Sequence, residues 1–366
     1  MNLLGSFVLN RSQRVRISDS LSDLFPVLSG VPQGSVLGPL LFLIFVADLP
    51  SLASPGSKMY QFADDLKLMR VIRNDSDVSS LQNDIFRIMD WSSEWLLELN
   101  FDKCHVIRYG SSIKPSYFFD QSKTRPVQFT DEERDLGVVF DNNLTFAKHI
   151  RSKISKARSC AYFLKRCFSN LGHDSFCNLY KAFVRPHLEF CSPVWSPPSA
   201  TLSNAIESVQ RFSTRSVRSL RHLPYPNRLR DLGLVTLKFR RLREDLVSLY
   251  KVFNGKAGMK EALGIGDRQV RTRVHHFPIF KENRQNKYRR NFLTLRVCGC
   301  WNKLPSNVVG AGTLNEFKSR LNAHFAISPL LYDHRATWDS REGLDAGSLH
   351  AGAAGSCSAE HRSRTS

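Results

Sequence analysis

The sequence predicts an α+β fold in which short antiparallel strands occupy the first part of the chain and helices follow. Three observations support this prediction. Residues 59–69 contain two short apolar runs on either side of an Asp-Asp pair, which is typical of a strand, a tight turn and a second strand. Residues 14–17 alternate polar and apolar side chains. From residue 145 to 252 the apolar residues recur instead with helical spacing.

The first hundred residues predict a hairpin and two helices besides the Asp-Asp segment. Residues 1–28 suggest the end of a helix and then a β-hairpin that turns at 18–20. The apolar run 36–49 is too short and interrupted to span a bilayer, so a buried helix with Pro39 in its first turn is expected. Residues 75–100 predict a second helix, capped by polar residues 75–77. Its expected inward residues are Val78, Leu81, Ile85, Ile88, Trp95 and Leu99.

Beyond residue 110 the pattern changes twice. Residues 110–128 are rich in Ser, Pro and Lys and predict a surface loop. Four amphipathic helices are then expected over 145–168, 174–186, 202–220 and 232–252. In the second of them Phe176, Leu179 and Phe183 are predicted to face inward. From residue 346 onward Ala, Gly and Ser dominate, which predicts a disordered tail.

The composition favours a polyanionic partner. The 366 residues include 52 Lys and Arg against 33 Asp and Glu, a formal net charge of +19. Nucleic acid is the simplest partner for such a charge, although an ordinary basic surface is the alternative. The eight cysteines lack the spacing of a zinc site and are expected to be reduced thiols of an intracellular protein. The start of the chain does not fit a signal peptide.

Two motifs carry the chemistry. Asp64 and Asp65 stand side by side in YQFADDL, where an aspartate could also be simple turn chemistry. Upstream, residues 29–42 read SGVPQGSVLGPLLF, and Gly30, Pro32 and Gly34 predict an unusual backbone path into the following helix. In this order and spacing the two motifs resemble the reverse transcriptases of non-LTR retrotransposons, most closely the jockey-like group.

The resemblance implies roles for individual residues. The Asp-Asp segment would be the metal-binding hairpin of a polymerase palm, with Asp64 the main Mg²⁺ ligand and Asp65 the supporting one. Gly30, Pro32, Gln33 and Gly34 would lie under the incoming nucleotide and template. Lys103, in the LNFDKC segment, would lie near the triphosphate, or else be a solvated lysine. Basic residues of the later helices would hold the nucleic-acid backbone of an RNA template and DNA primer: Lys148, Arg151, Lys156, Arg158, Arg211, Arg215 and Arg218.

The resemblance also implies a domain organisation. We predict a partial reverse transcriptase palm, an antiparallel sheet with helices, over 1–110, a loop over 111–130 and an all-helical thumb-like region over 131–255. A basic C-terminal region over 256–330 and a disordered tail over 331–366 would follow. The expected location is the nucleus or the cytoplasm, without membrane insertion, and the oligomeric state stays open.

Residues 7–15 resemble a segment that follows the family's first catalytic aspartate, so we expect an N-terminally truncated polymerase that is inactive alone. Asp19, Asp23 and Asp48 are weak substitutes for the missing ligand, because Mg²⁺ ligands must converge closely on the ion. Two other hypotheses remain: a non-catalytic nucleic-acid-binding remnant of a mobile element, and an incomplete palm that does not fold stably.

Overall fold

The computed structural model describes residues 3–110, 113–168, 170–255, 277–279, 288–289 and 291–339. The predicted tail over 331–366 lies outside the described residues beyond 339, whereas Tyr332 and Trp338 pack against apolar cores. Most of 256–290, the first part of the predicted basic region over 256–330, also lies outside the described residues. The chain divides into two compact units, Met1–Asp131 and Glu132–Ser366. Each unit contains helices and two-stranded sheets, which confirms the α+β class. The names palm and thumb, and the domain boundaries, stay predictions.

The first unit begins with helix α1 (Leu3–Val8) and two nested hairpins. Strand β1 (Arg11–Gln13) pairs antiparallel with β4 (Phe25–Val27), and between them β2 (Arg16–Ile17) pairs with β3 (Ser20–Leu21). The alternation over 14–17 therefore marks a strand as predicted, with its turn at 18–19.

Helix α2 (Leu37–Phe45) follows, with Pro39 inside its first turn as predicted. It is not the buried helix that was expected, because Gly38 is its only buried residue and Leu40, Leu43 and Ile44 are exposed. Strands β5 (Ser57–Phe62) and β6 (Asp65–Arg70) form the central hairpin of the unit. Helix α3 (Asp75–Glu94) comes next, and the Asn74 side chain, rather than residues 75–77, caps it by accepting the Asp77 N–H at 3.0 Å.

Helix α3 ends before residue 100 and uses a different tryptophan from the one predicted. Trp91 is 6% exposed, whereas Trp95 is 45% exposed. The physical reason is that the Trp91 indole N–H donates to Asp48 at 3.0 Å and the ring packs edge-on against Phe45. Asp48 is thereby occupied as a structural acceptor.

The segment predicted as a surface loop contributes to the core of the first unit. Tyr117, Phe119 and Val127 are buried and pack beside α3. Strand β7 (His105–Ile107) pairs in parallel with β8 (Gln128–Thr130), and the intervening residues return across the unit. The sequence did not predict this burial because the segment is rich in Ser, Pro and Lys. Its three buried apolar residues are also too few and too widely spaced to form a helical or strand period.

The second unit starts with a hairpin rather than a helix. Strands β9 (Glu132–Asp135) and β10 (Val138–Asp141) pair antiparallel. The helices that follow are α4 (Ala147–Cys167), α5 (His173–Leu179), α6 (Arg185–Glu189), α7 (Ser192–Trp195), α8 (Ala200–Thr214), α9 (Tyr225–Asp231) and α10 (Leu237–Asn254). After the gap in the described residues come α11 (Leu293–Asn302), α12 (Ser306–Val309) and α13 (Leu314–His324).

Two apolar cores hold this unit together. The first joins β10 to the helices from α4 to α9, and α4 contributes its predicted stripe, with Ile150, Ile154, Ala157 and Ala161 buried. The second core lies among α10, α11, α12 and α13, around the fully buried Trp301 and Phe317. Both cores are built from amphipathic helices, as the helical period predicts.

The prediction that Phe183 faces inward in the helix over 174–186 is wrong. A π-helical turn, Tyr180–Val184, separates α5 from α6. This turn holds one residue more than an α-helical turn, so it shifts the face that points inward. Tyr180 and Val184 are buried as a result, and Phe183, predicted to face inward, is 55% exposed.

A buried histidine should make the second unit sensitive to acid. His149 is 1% exposed, accepts the Val139 N–H at 3.2 Å and lies against the Trp195 ring. Burial, and secondarily the charge of Lys153, lowers the pKa of His149 to about 4. Well above pH 6.5 the His149 ring is neutral in both the folded and the unfolded chain. Between pH 6.5 and about 4 the unfolded chain binds a proton at this ring, whereas the folded chain does not.

The free energy of unfolding should therefore fall as the pH drops from 6.5 to 4, by about 3 kcal/mol from this residue. Urea unfolding at several pH values measures the loss. His149→Gln should flatten the pH dependence, while His222→Gln, at an exposed position, should leave it unchanged. Equal curves for all three proteins would contradict this assignment.

Candidate active site

The Asp-Asp pair lies at the tip of the β5–β6 hairpin. Phe62 pairs with Asp65, so Ala63 and Asp64 form a two-residue turn. Ala63 has φ 52°, the left-handed conformation that short hairpin turns require and that residues other than glycine adopt at a cost. Asp64 and Asp65 are both exposed. Among the described residues, neither carboxylate has a hydrogen bond or an ion pair.

Two acids of α3, the buried Asp84 and the half-buried Asp77, fix the opposite end of the hairpin. Asp84 is fully buried and accepts the Ser54 N–H at 3.0 Å and the hydroxyls of Ser54 and Ser57 at 2.9 and 2.5 Å. Arg70, the last residue of β6, donates through Nε to Asp77 at 3.2 Å and through Nη1 to the Pro55 carbonyl at 3.0 Å. The strands that carry the aspartates are therefore tied to a 20-residue helix.

Asp77 is held in its charged form. A hydrogen bond from the Arg73 N–H and the neighbouring Arg70 guanidinium lower the pKa of the Asp77 carboxyl, against a smaller opposing effect of burial. The carboxylate of Asp77 is thus favoured as the partner of the Arg70 guanidinium.

The sequence did not reveal this anchor. Asp84 lies three residues after Leu81 and four before Ile88, on the inward face of α3, and an acid inside an apolar stripe is the signal that could have identified it. Asp77 and Arg70 gave no comparable signal, because polar residues at the end of a strand and the start of a helix are common.

The block 29–35 takes the unusual backbone path that its glycines predict. Gly30 and Gly34 have φ of 79° and 80°, which strongly favours glycine. A Cβ atom at either position would meet no atom within 4 Å, so both glycines border open space. The Ser35 hydroxyl donates to the Pro32 carbonyl at 2.6 Å and accepts the Gly38 N–H at 3.0 Å, which joins the block to α2. Gln33 is exposed.

The remaining predicted residues of the first unit are exposed but not assembled into one polar cluster. Lys103 is exposed and ends a short 3₁₀ turn, Phe101–Lys103, before β7. Asp19 and Asp23 are exposed in the N-terminal hairpins. In the described ranges no hydrogen bond or ion pair joins Asp64 or Asp65 to Lys103 or to the block 29–35. No group of three His, Cys, Asp or Glu side chains that could hold a metal ion occurs there either.

The predicted backbone-binding residues of the second unit differ in their environments. Arg151, Lys156, Arg158, Arg215 and Arg218 are exposed. Lys148 is exposed too but pairs with Glu132.

Arg211 is half-buried. It contacts His334 Nε2 at 3.0 Å and lies over the Tyr225 ring. Its guanidinium is thus engaged within the protein, which makes it the weakest candidate of the seven.

Within the part of the chain that the structure describes, no helix is both long and apolar enough to cross a membrane.

Residues 3–130 match the family model described as "Reverse transcriptase (RNA-dependent DNA polymerase)". The chain is 27% identical over 245 residues to the probable RNA-directed DNA polymerase from transposon X-element of Drosophila melanogaster, which covers 64% of this chain and 27% of that protein. It is 29% identical over 248 residues to the RNA-directed DNA polymerase from mobile element jockey of Drosophila funebris, with 63% and 26% covered.

A third relative is the probable RNA-directed DNA polymerase from transposon BS of Drosophila melanogaster, 26% identical over 264 residues, with 64% of this chain and 27% of that protein covered. The chain thus spans about a quarter of the length of the curated relatives it matches. No solved structure matches it significantly. The sequence motifs, the hairpin that presents Asp64 and Asp65, and these similarities agree: residues 3–130 carry a reverse transcriptase domain, and the chain is similar to the RNA-directed DNA polymerases of jockey-like non-LTR retrotransposons.

Proposed function

We propose that this chain takes part in RNA-templated DNA synthesis and that the β5–β6 hairpin contributes to the reaction centre. One observation carries the proposal: two exposed carboxylates without hydrogen-bond or ion-pair partners in the described residues stand at the tip of a hairpin whose base is anchored by Asp84 and Arg70. Two adjacent anions without a compensating cation are unfavourable, so the arrangement suits a site that receives one. The first unit would then correspond to a palm and the helices from α4 onward to a thumb.

The family resemblance implies Mg²⁺, and the two carboxylates fit it in part. Mg²⁺ takes hard oxygen ligands and is commonly bound through one or two carboxylates together with substrate phosphates. When bound, such ions stabilise the attacking and leaving oxygens of phosphoryl transfer. A two-ion site needs a further carboxylate, and the described residues place none beside Asp64 and Asp65. We therefore expect two-metal binding by these residues alone to be very weak.

The block 29–35 would border the nucleotide and the template. Its support is the open space beside Gly30 and Gly34, which lets another molecule approach the backbone closely. Gln33 offers an exposed amide for hydrogen bonds, and Pro32 stiffens the path. Lys103 would contribute a positive charge toward the triphosphate. An RNA template and a DNA primer are the proposed partners, and the nucleus or cytoplasm is the proposed location.

A second candidate function is nucleic-acid binding without catalysis. The net charge of +19 and the exposed basic residues of α4 favour it. In that case the protein would bind a primer–template but would not extend it.

Primer extension distinguishes the two functions. The full chain is given an RNA template, a DNA primer, deoxynucleotides and Mg²⁺, beside Asp64→Asn, with Asp90→Asn, another exposed aspartate, as the matched control. If the hairpin acts in catalysis, any extension should fall by at least about 100-fold in Asp64→Asn and stay unchanged in Asp90→Asn, since removing a key charge-stabilising group typically costs that much.

Because the described residues lack a third carboxylate near the pair, we expect extension by the wild-type chain itself to be weak. Binding is therefore measured in parallel across a salt series. Salt-dependent binding without extension would support the non-catalytic function, and extension that survives Asp64→Asn would contradict the role of the hairpin.

A further inference from the structure

An open groove runs along one face of the second unit, between α4 and α8. Its volume is about 460 Å³. Its lining residues are Arg151, Ile154, Ser155, Arg158, Ser159, Tyr162 and Ala205. The lining thus combines two positive charges, three hydroxyls and an aromatic ring, and it includes no acid. A groove of this size can hold part of a nucleotide chain.

The two guanidinium groups are available to a ligand. Arg151 and Arg158 are exposed and lie seven residues apart, about two turns of the helix, so both belong to one face. In the described ranges neither forms an ion pair with an acid. Arg158 Nη2 donates to the Ser208 hydroxyl at 2.9 Å, which orients the side chain without neutralising its charge. An arginine has five N–H donors, so most of them stay free for a phosphate.

The aromatic ring beside them is held in place yet largely exposed. Tyr162 follows Arg158 by one helical turn and is 58% exposed. Its ring contacts Phe212 of α8, with 4.7 Å between centroids, and the Lys165 ammonium lies 5.5 Å from the Phe212 centroid. The exposed ring beside two arginines offers a flat face on which a base can stack.

We propose that this groove binds an unpaired stretch of nucleic acid, with phosphates on Arg151 and Arg158 and a base stacked on Tyr162. The positive groove with an adjacent aromatic ring is the combination that single strands use, because every base has a face that can stack. In a duplex the bases are already stacked on one another, and only phosphates and groove edges remain accessible. The inference rests on the proposed function, since it specifies which form of the nucleic acid this unit holds.

The groove uses only one flank of α4, and this provides a matched control. Arg166 is exposed on the same helix and does not line the groove. Replacing Arg166 removes one positive charge from α4 without touching the proposed site.

The experiment measures fluorescence anisotropy of the full chain with a labelled oligonucleotide of about 12 nucleotides, a length within the usual range of single-strand sites. A blunt duplex of the same length is measured beside it. Tyr162→Ala should weaken single-strand binding by about 5- to 150-fold and leave duplex binding unchanged, since stacking on one aromatic ring typically contributes that much. Tyr162→Phe keeps the ring and should bind like the wild type.

Changing both Arg151 and Arg158 to alanine should lower the salt dependence of single-strand binding, with the slope of log K against log salt reduced by about 1.4. Arg166→Ala should leave the difference between single strand and duplex unchanged. Circular dichroism of each variant verifies that it is folded, as expected for changes at exposed positions.

The proposal is overturned if Tyr162→Ala leaves single-strand binding unchanged or weakens both forms equally, which would indicate a duplex contact. This failure is distinct from failure of the proposed function, because the wild-type protein would still bind nucleic acid. A wild-type chain that binds neither form would overturn both.

Discussion

Replacing Asp245 with alanine should lower the free energy of unfolding by about 3–5 kcal/mol, because the change removes the counter-charge of the half-buried Arg296 and the buried Arg241. Asp245 is 2% exposed, and its two oxygens accept hydrogen bonds from Arg296, from Nη2 at 2.6 Å and from Nε at 2.8 Å. Arg296 also donates to the Pro193 carbonyl at 2.7 Å, so the pair links α10 and α11 to the α7 segment. A second guanidinium, Arg241, is 3% exposed nearby and also interacts electrostatically with Asp245.

Urea unfolding followed by circular dichroism measures this loss. Glu244→Ala, at the neighbouring half-buried position, should cost much less and serves as the control. A double variant, Asp245→Leu with Arg296→Met, should recover much of the stability, since replacing a whole buried ion pair by apolar residues is often neutral. If Asp245→Ala and Glu244→Ala lower the free energy of unfolding equally, the ion pair does not make the expected contribution to stability.

Asp84→Ala should cost about 3 kcal/mol and should loosen the hairpin that carries Asp64 and Asp65. Asp84 accepts the N–H and hydroxyl of Ser54 and the hydroxyl of Ser57, and it pairs with Arg87 at 3.2 Å. Hydrogen bonds to a buried charge are among the stronger ones, and their loss leaves several donors unsatisfied.

Amide hydrogen exchange of β5 and β6, together with urea unfolding, measures both effects. Asp84→Asn keeps one acceptor oxygen and should fall between the wild type and Asp84→Ala. Asp90→Ala, an exposed position of the same helix, should change stability by less than about 0.5 kcal/mol. Unchanged exchange in the hairpin of Asp84→Ala would show that the anchor lies elsewhere.

The elements with a strong local pattern could be predicted from the sequence. The β5–β6 hairpin, α2 with Pro39 in its first turn, and the inward stripe of α4 all follow from spacing within a few turns of chain. The tip position of Asp64 follows as well, because the apolar runs on both sides fix where the chain must reverse. These features depend on residues close in sequence, so local physics determines them.

The rest depends on contacts between distant residues. The π-helical turn at Tyr180–Val184 changes which side chains face inward, and no apolar period announces it. Trp91 is preferred over Trp95 because Asp48, 43 residues away, accepts its indole N–H. Asp245 looks like a solvent-facing acid in the sequence, and although the inward position of Asp84 on α3 is a signal of burial, the donors that each carboxylate accepts from are set by the fold. The anchor of the candidate site was therefore missed even where the site itself was predicted.

The β5–β6 hairpin has a consequence for handling the protein. In the residues that the structure describes, every sheet has two strands, so neither long edge of this hairpin pairs with a third strand. Tyr60 and Phe62 add exposed aromatic surface of 46% and 64% beside those edges. Such edges can pair with the same strand of another molecule. Self-association of this kind increases with protein concentration, so the single molecule is best studied in dilute samples.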